Sequence, residues 1–237
     1  MISDHDLLSN IEHVKRKIAE AAVKVGRNPD EIMILGVTKT VDPQTMQKSY
    51  DYGITHFGEN RVQEYLGKSD IIKRDCYWHI IGRLQTNKVK YLDQRITLIH
   101  SLDRMELAEA LQARGEKIDW VFPVLVQVNI SGESTKAGIE PENLKNFLLS
   151  LSKMGNISVR GLMTIAPYTE DPEVVRPVFR KLKKLSVDMA RERVENISME
   201  VLSMGMSGDY TIAVEEGSTI VRIGSAIYGE RAYSQPG

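Results

Sequence analysis

Eight short runs of apolar and β-branched residues, each followed by a polar turn and then a stretch of helical periodicity, constrain this 237-residue chain more than any other feature. The runs lie at 32–37, 54–57, 77–81, 97–100, 121–128, 158–162, 198–202 and 219–223. Helical patterns occupy 43–52, 61–72, 86–92, 104–114, 142–153, 173–194 and, more briefly, 209–215. The runs at 32–37 and 121–128 are almost continuously apolar, as expected of parallel strands covered on both faces. Ahead of them, Leu7, Leu8, Ile11, Val14, Ile18, Ala22 and Val25 recur at three- and four-residue steps, which predicts one amphipathic helix. Ser3 with Asp6 supplies its capping signal and Gly26 its stop, while Asp42-Pro43 opens the next helix. Eight strand–helix units in a chain of this length fit a single α/β domain over 1–237, a (β/α)8 TIM barrel of ~250 residues with an extra N-terminal helix. An open doubly wound sheet is the alternative, because periodicity does not distinguish a closed sheet from an open one.

Composition narrows the function classes. The formal net charge is −1, so no global positive field recruits nucleic acid or an anionic membrane. The local run Arg180, Lys181, Lys183, Lys184 reads as the solvated face of a helix. Cys76 is the only cysteine, which excludes an intramolecular disulfide. The N-terminus has no basic region of the secretory kind, and the longest apolar stretch, 120–128, falls far short of the ~18 residues of a membrane span. A cytoplasmic protein is expected. The five histidines and Cys76 show no metal-ligand spacing, and neither a Gly-x-Ser-x-Gly elbow nor a phosphate loop of the Walker type is present.

In barrels of this kind the reactive groups lie at the C-terminal ends of the strands. Lys39 directly follows the first run, where partial desolvation favours the neutral amine and makes it a nucleophile toward aldehydes. Ser203-Met204-Gly205-Met206-Ser207-Gly208-Asp209 and Arg222-Ile223-Gly224-Ser225-Ala226-Ile227-Tyr228-Gly229 follow the seventh run and span the eighth. Barrels commonly hold a phosphate there, on glycine-freed backbone N–H groups and hydroxyls. Phe57-Gly58-Glu59-Asn60 ends the second run, Trp78-His79-Ile80-Ile81-Gly82 spans the third and Gly161-Leu162-Met163-Thr164 ends the sixth; taken alone, His79 reads as a satisfied core histidine and Met163 as plain packing. Lys136, in the polar loop 129–136, is a second candidate amine.

Together these stretches resemble the pyridoxal phosphate homeostasis proteins, relatives of the alanine racemase N-terminal barrel. The resemblance extends through Arg61-Val62-Gln63-Glu64, Arg83-Leu84-Gln85-Thr86-Asn87-Lys88 and Gly217-Ser218-Thr219. Two departures stand out: Gly36 where alanine is usual, and Tyr228 where phenylalanine is usual. The resemblance implies pyridoxal 5′-phosphate as cofactor, bound covalently to Lys39 as a Schiff base. It also implies that Ser207, Gly224 and Ser225 hold the phosphate, that Arg222 faces the pyridine nitrogen, and that Asn60, His79 and Met163 line the ring. Most enzymes using this cofactor place a carboxylate at that nitrogen. An arginine there leaves a weaker electron sink, since it does not readily give up its proton. Alanine racemases take a second acid/base from a separate C-terminal domain, which is not expected in this sequence. The expectation is therefore a monomeric cofactor-binding protein of intracellular vitamin B6 homeostasis without robust catalysis, with apo-enzymes as possible recipients. A stand-alone amino-acid racemase is the alternative.

Overall fold

The structure, a computed structural model, describes residues 2–72, 75–133 and 137–229. Its N-terminal helix α1 (Asp4–Lys24) starts where the capping signal places it: the Ser3 Oγ accepts the Asp6 backbone N–H at 3.1 Å. Asp4 and Asp6 in the first turn and Lys24 in the last complement the helix dipole. Leu7, Ile11, Val14, Ile18, Ala21 and Ala22 form its buried stripe.

Eight strands follow: β1 (Met33–Val37), β2 (His56–Glu59), β3 (Tyr77–Ile80), β4 (Ile96–Leu102), β5 (Phe122–Gln127), β6 (Ile157–Met163), β7 (Ile197–Ser203) and β8 (Ile220–Ile223). Each pairs in parallel with the next, and β8 pairs with β1 through Met33↔Ile220, Ile34↔Val221, Leu35↔Arg222 and Gly36↔Ile223. The sheet is a closed barrel, so the open doubly wound alternative is wrong. Helices α2 (Pro43–Asp51), α3 (Val62–Ser69), α4 (Met105–Ile118), α5 (Leu144–Leu151), α6 (Arg176–Arg191) and α7 (Tyr210–Glu215) connect strands, and α8 (Ser225–Tyr228) follows the last one. The connection after β3 is a 3-10 helix, Thr86–Tyr91, rather than the α-helix its apolar spacing suggested. α8 is only four residues long, too short to leave a periodic signal. α1 packs against α2, α7 and α8 and covers the flank of the barrel at its β8–β1 closure.

The main core lies between strands and helices, and a smaller apolar cluster joins Leu35, Leu98, Leu125, Met163 and Ile220. Each fully buried aliphatic side chain of this kind contributes about 1.5–3 kcal/mol of transfer free energy. The two departures from the family pattern meet in this fold. A Cβ on Gly36 would lie 2.6 Å from the Tyr228 hydroxyl and 2.9 Å from the Ile54 Cγ2. Glycine in β1 therefore makes room for the extra oxygen carried by α8, which lies 3.3 Å from the Ser49 Oγ. Gly36→Ala alone is expected to destabilise the protein by about 1–3 kcal/mol through overpacking. Tyr228→Phe alone should cost less than about 1 kcal/mol, because Ser49 keeps its 2.8 Å bond to the Met46 carbonyl. Combining the two should recover about 1 kcal/mol or more of the Gly36→Ala loss. Urea unfolding of the four proteins in this cycle measures the coupling; strict additivity would show that the two positions do not compensate.

Candidate functional site

An open cavity of about 1340 Å³ lies at the C-terminal ends of the strands. It is lined by Lys39, Asn60, Ser207, Arg222, Gly224 and Ser225, six residues drawn from four strand ends. Lys39 sits two residues beyond β1, half-buried. Its backbone is fixed from both sides. The preceding Thr38 carbonyl accepts from Lys68 Nζ at 2.7 Å, and the Thr38 hydroxyl donates to Glu59 Oε1 at 2.7 Å. Lys68 Nζ completes the triangle by pairing with the same Glu59 oxygen at 2.8 Å. Burial pushes the Glu59 carboxyl upward, and the Lys68 charge pulls it back down. The following residue, Thr40, has φ +67°, a left-handed conformation that a β-branched residue adopts only under constraint.

The second wall is built by the segments after β7 and in α8. The Ser207 Oγ accepts two backbone N–H groups, those of Gly224 and Ala226, each at 3.2 Å. Ser207 and the start of α8 thus form a small cradle whose two N–H groups are satisfied internally and whose Ser207 and Ser225 residues line the cavity. A Cβ on Gly208 would meet nothing within 4 Å, and one on Gly224 would make only ordinary contact with Val37. Gly205 is required for a different reason: its φ is +92°, and a Cβ would lie 2.5 Å from that of Ala213.

Arg222 lies in β8 and is only 5% exposed. It donates to the Ser203 Oγ at 2.8 Å and to the Thr164 carbonyl at 3.0 Å. Burial pulls its guanidinium down to about 10, opposed by the Asp209 charge, so it stays a cation at neutral pH. From Ser203 a chain of short hydrogen bonds crosses the barrel interior. Ser203 Oγ to His100 Nδ1 is 2.9 Å, His100 Nε2 to His79 Nδ1 is 3.0 Å, and His79 Nε2 to His56 Nδ1 is 3.0 Å. The His56 ring stacks on Tyr77, which is exposed. Neutral imidazoles have one hydrogen each. Only one polarity uses every hydrogen among the described groups: Arg222 donates to Ser203, Ser203 to His100, His100 to His79, and His79 to His56. The opposite polarity would leave the fully buried Ser203 hydroxyl hydrogen without an acceptor. All three histidines are therefore Nε2–H tautomers.

Two expected ring-lining residues lie elsewhere. His79 is buried in this chain, and Met163 is buried in the small apolar cluster; neither is among the residues lining the cavity. The cavity instead adds Thr40, Asp42, Gln127, Asn129, Met206 and Tyr228. Asp42 is the only carboxylate among the lining residues, and both its oxygens are taken by Thr45 in capping α2. Burial pushes the Tyr228 hydroxyl upward, so it keeps its proton at neutral pH. Lys136 lies outside the described residues. Among the described residues no group of three or more histidine, cysteine, aspartate or glutamate side chains is placed to hold a metal ion, and no helix is long and apolar enough to cross a membrane.

Comparison with known proteins places this geometry in context. Residues 8–232 match the family described as alanine racemase, N-terminal domain. The pyridoxal phosphate homeostasis protein of Aquifex aeolicus is 49% identical over 224 residues, covering 94% of this chain and 97% of that protein. The crystal structure of a protein of unknown function from Bifidobacterium adolescentis superposes with a TM-score of 0.91 at 31% identity, covering 96% of this chain and 98% of the other. The structure of PipY of Synechococcus elongatus with pyridoxal phosphate bound superposes with a TM-score of 0.78 at 31% identity, covering 90% and 100%.

The histidine chain makes stability depend on pH. Burial holds His79 at about 3 and His100 well below its ordinary value, and it lowers His56 as well. In the unfolded chain each regains a value near ~6.5. The folded protein thus binds fewer protons, so its stability is complete above pH ~6.5 and is lost as pH falls below it. Between pH 7 and pH 5 the loss should be about 2 kcal/mol for each of the two fully buried rings. Denaturant unfolding at the two pH values measures it, with ring ¹⁵N shifts confirming neutral Nε2–H tautomers at pH 5; a pH-independent stability over that interval would contradict a neutral buried chain.

Proposed function

Because this chain belongs to the pyridoxal phosphate homeostasis proteins, which share the alanine racemase N-terminal domain, we propose that it binds pyridoxal 5′-phosphate covalently through Lys39 and holds it in intracellular vitamin B6 homeostasis, without robust catalysis of its own. The observation that carries this reading is the meeting of a strand-end amine, a serine-lined cradle and a buried guanidinium in one cavity.

The residues fit the cofactor. Ser207 and Ser225 would offer hydroxyls to the oxygens of a phosphate beside Gly224; the Ser207 Oγ, already accepting the Gly224 and Ala226 backbone N–H groups, has its own hydroxyl hydrogen left to donate. Arg222 would present its remaining N–H donors to the pyridine nitrogen, and Asn60, which lines the same cavity, would lie beside the ring. Met163 and His79 support the floor from beneath rather than touching the ring. Lys39 would hold the cofactor through its Nζ, condensing with the aldehyde with loss of one water. When bound, the cofactor supplies an electrophilic carbon and an electron-accepting ring. Arg222 limits the second property, because a protonated guanidinium donates a hydrogen bond to the nitrogen but does not protonate it.

A stand-alone amino-acid racemase is the second reading, favoured by the racemase-domain family to which residues 8–232 match. Racemisation needs an acid/base on each face of the substrate. Among the cavity-lining residues Tyr228 is the one hydroxyl of that kind, and its raised affinity for its proton suits it poorly to a base. The carrier reading makes the protein a cytoplasmic monomer, one domain over 1–237, that takes up the cofactor and releases it to apo-enzymes.

Borohydride reduction of the loaded protein followed by peptide mass mapping is expected to place a pyridoxyl adduct on Lys39 and not on Lys136. The near-ultraviolet absorption of the bound cofactor should vanish in Lys39→Ala. Incubation with L-alanine and chiral chromatography should give D-alanine far more slowly than the ~1 per second of a modest enzyme; turnover at or above that rate would establish the racemase instead.

A further inference from the structure

We propose that the protein carries a second, independent anion site beside the cofactor cavity, built to take a small phosphate monoester. Two of the stretches by which the chain resembles its family, Arg61–Glu64 and Arg83–Lys88, leave most of their polar side chains unused by the first cavity. They come together instead around a pocket of about 820 Å³ at the ends of β2, β3 and β4. Arg61, Arg83, Lys88 and Arg104 line it together with Gln63 and Gln85, and no acidic residue is among its lining. The volume is that of a small-molecule site rather than a macromolecular groove.

The charges there are not consumed by internal pairing. Asp103, whose side chain is almost fully buried, is shared by two of the four cations. Arg83 Nε lies 3.1 Å from it, and Arg104 pairs with its other oxygen while donating to the Leu84 carbonyl at 2.8 Å. One carboxylate thus sets the orientation of two guanidiniums and offsets only one of their charges. Arg61 and Lys88 have no carboxylate partner among the described residues. The nearest acid in sequence to Arg61, Glu64, is turned to the Arg61 backbone N–H at 3.2 Å, and Lys88 lies 6.0 Å from the centre of the Tyr91 ring. α3 begins at Val62, so the positive end of an eight-residue helix adds to the same pocket.

A wall of donors with an excess of positive charge suits a dianion rich in acceptor oxygens better than a single carboxylate. The chain as a whole has a net charge of −1, so this is a local device and not a general affinity for polyanions. Asn60, Gly82 and Arg83 line both pockets and form the wall between them. A Cβ on Gly82 would lie 2.3 Å from the Asn60 carbonyl oxygen, so glycine is what lets this wall be thin. A phosphate monoester in the second pocket therefore sits next to whatever occupies the first. The site stands on its own residues and does not depend on how the first cavity is used.

The test uses full-length protein with the first cavity closed by pyridoxal phosphate reduced onto it with borohydride. Pyridoxamine 5′-phosphate, which has no aldehyde, is then followed by its fluorescence in equilibrium dialysis. One further molecule should bind per chain, and inorganic phosphate should displace it. Arg61→Gln with Lys88→Gln should weaken this binding roughly tenfold or more, as should raising salt from 0.05 to 0.5 M. The thermal midpoint and the first cofactor's absorption should not change. Binding should also weaken as pH falls below ~6, where the phosphate takes its second proton. Absence of any second molecule, or equal affinity in the double variant, overturns the site. The mass of the reduced protein reports separately whether Lys39 carries an adduct, and repeating the dialysis on Lys39→Ala keeps the two questions apart.

Discussion

Pairing of β1 with β8 turns the two ends of the sheet into neighbours, and the site exists only because of it. Leu35 faces Arg222 and Gly36 faces Ile223 across that seam. Lys39, four residues beyond Leu35, is thereby brought to the cavity shared with Gly224 and Ser225, almost the full length of the chain away. An open sheet with the same strands would leave the amine and the cradle on opposite edges. Packing at the seam is correspondingly tight. The missing Cβ at Gly36 is matched by the hydroxyl of Tyr228, and α1 covers the same flank. A short helix of four residues, α8, is enough to set the cradle because its N–H groups are already fixed by Ser207.

Burial of the Arg222 charge shapes the barrel interior next to that seam. Removing a cation from water is costly unless its donors are satisfied, and here they meet a serine oxygen and a backbone carbonyl. Ser203 passes the polarity on through His100 and His79 to His56, so one guanidinium fixes the tautomers of three rings drawn from three strands. The guanidinium also helps to keep them neutral, since its charge adds to burial in lowering His100. The apolar cluster of Leu35, Leu98, Leu125, Met163 and Ile220 occupies the remaining interior. A polar chain and an apolar cluster share the space, and neither leaves an interior histidine nitrogen between two partners unpaired.

Much of this was legible in the sequence. Short apolar runs alternating with helical patterns gave eight strands in order, and Lys39, Ser207 and Gly224, singled out at strand ends, line one cavity. The misplacements share a physical origin. Strands covered on both faces carry no alternation that says which side chains point inward, nor how deep along the barrel each lies. His79 and Met163, which the residues alone read as core packing and only the family resemblance set against a ring, are interior residues. The histidine chain was invisible because its members lie on different strands, and their spacing along the sequence reflects nothing about their contacts. The 3-10 helix at Thr86–Tyr91 and the brevity of α8 depend on how the barrel closes around them, which local periodicity does not encode.

The electrostatics follow from these placements and bear on what the cavity can hold. Although burial lowers Arg222 to about 10, the cation remains favoured by roughly a thousandfold at pH 7. Its hydrogen-bond partners are neutral, and the Asp209 charge opposes the effect of burial on it. Arg222 is itself a lining residue, so its charge lies at the wall of the cavity. Asp42, the one acid in the lining, is engaged by Thr45 at the start of α2. A chain that is slightly acidic overall therefore presents a positive interior face between Lys39 and the Ser207 cradle. That face favours an anionic ligand, and it opposes protonation of any basic nitrogen brought against Arg222. Both effects suit reversible holding of a phosphorylated aldehyde better than the electron withdrawal that rapid turnover requires.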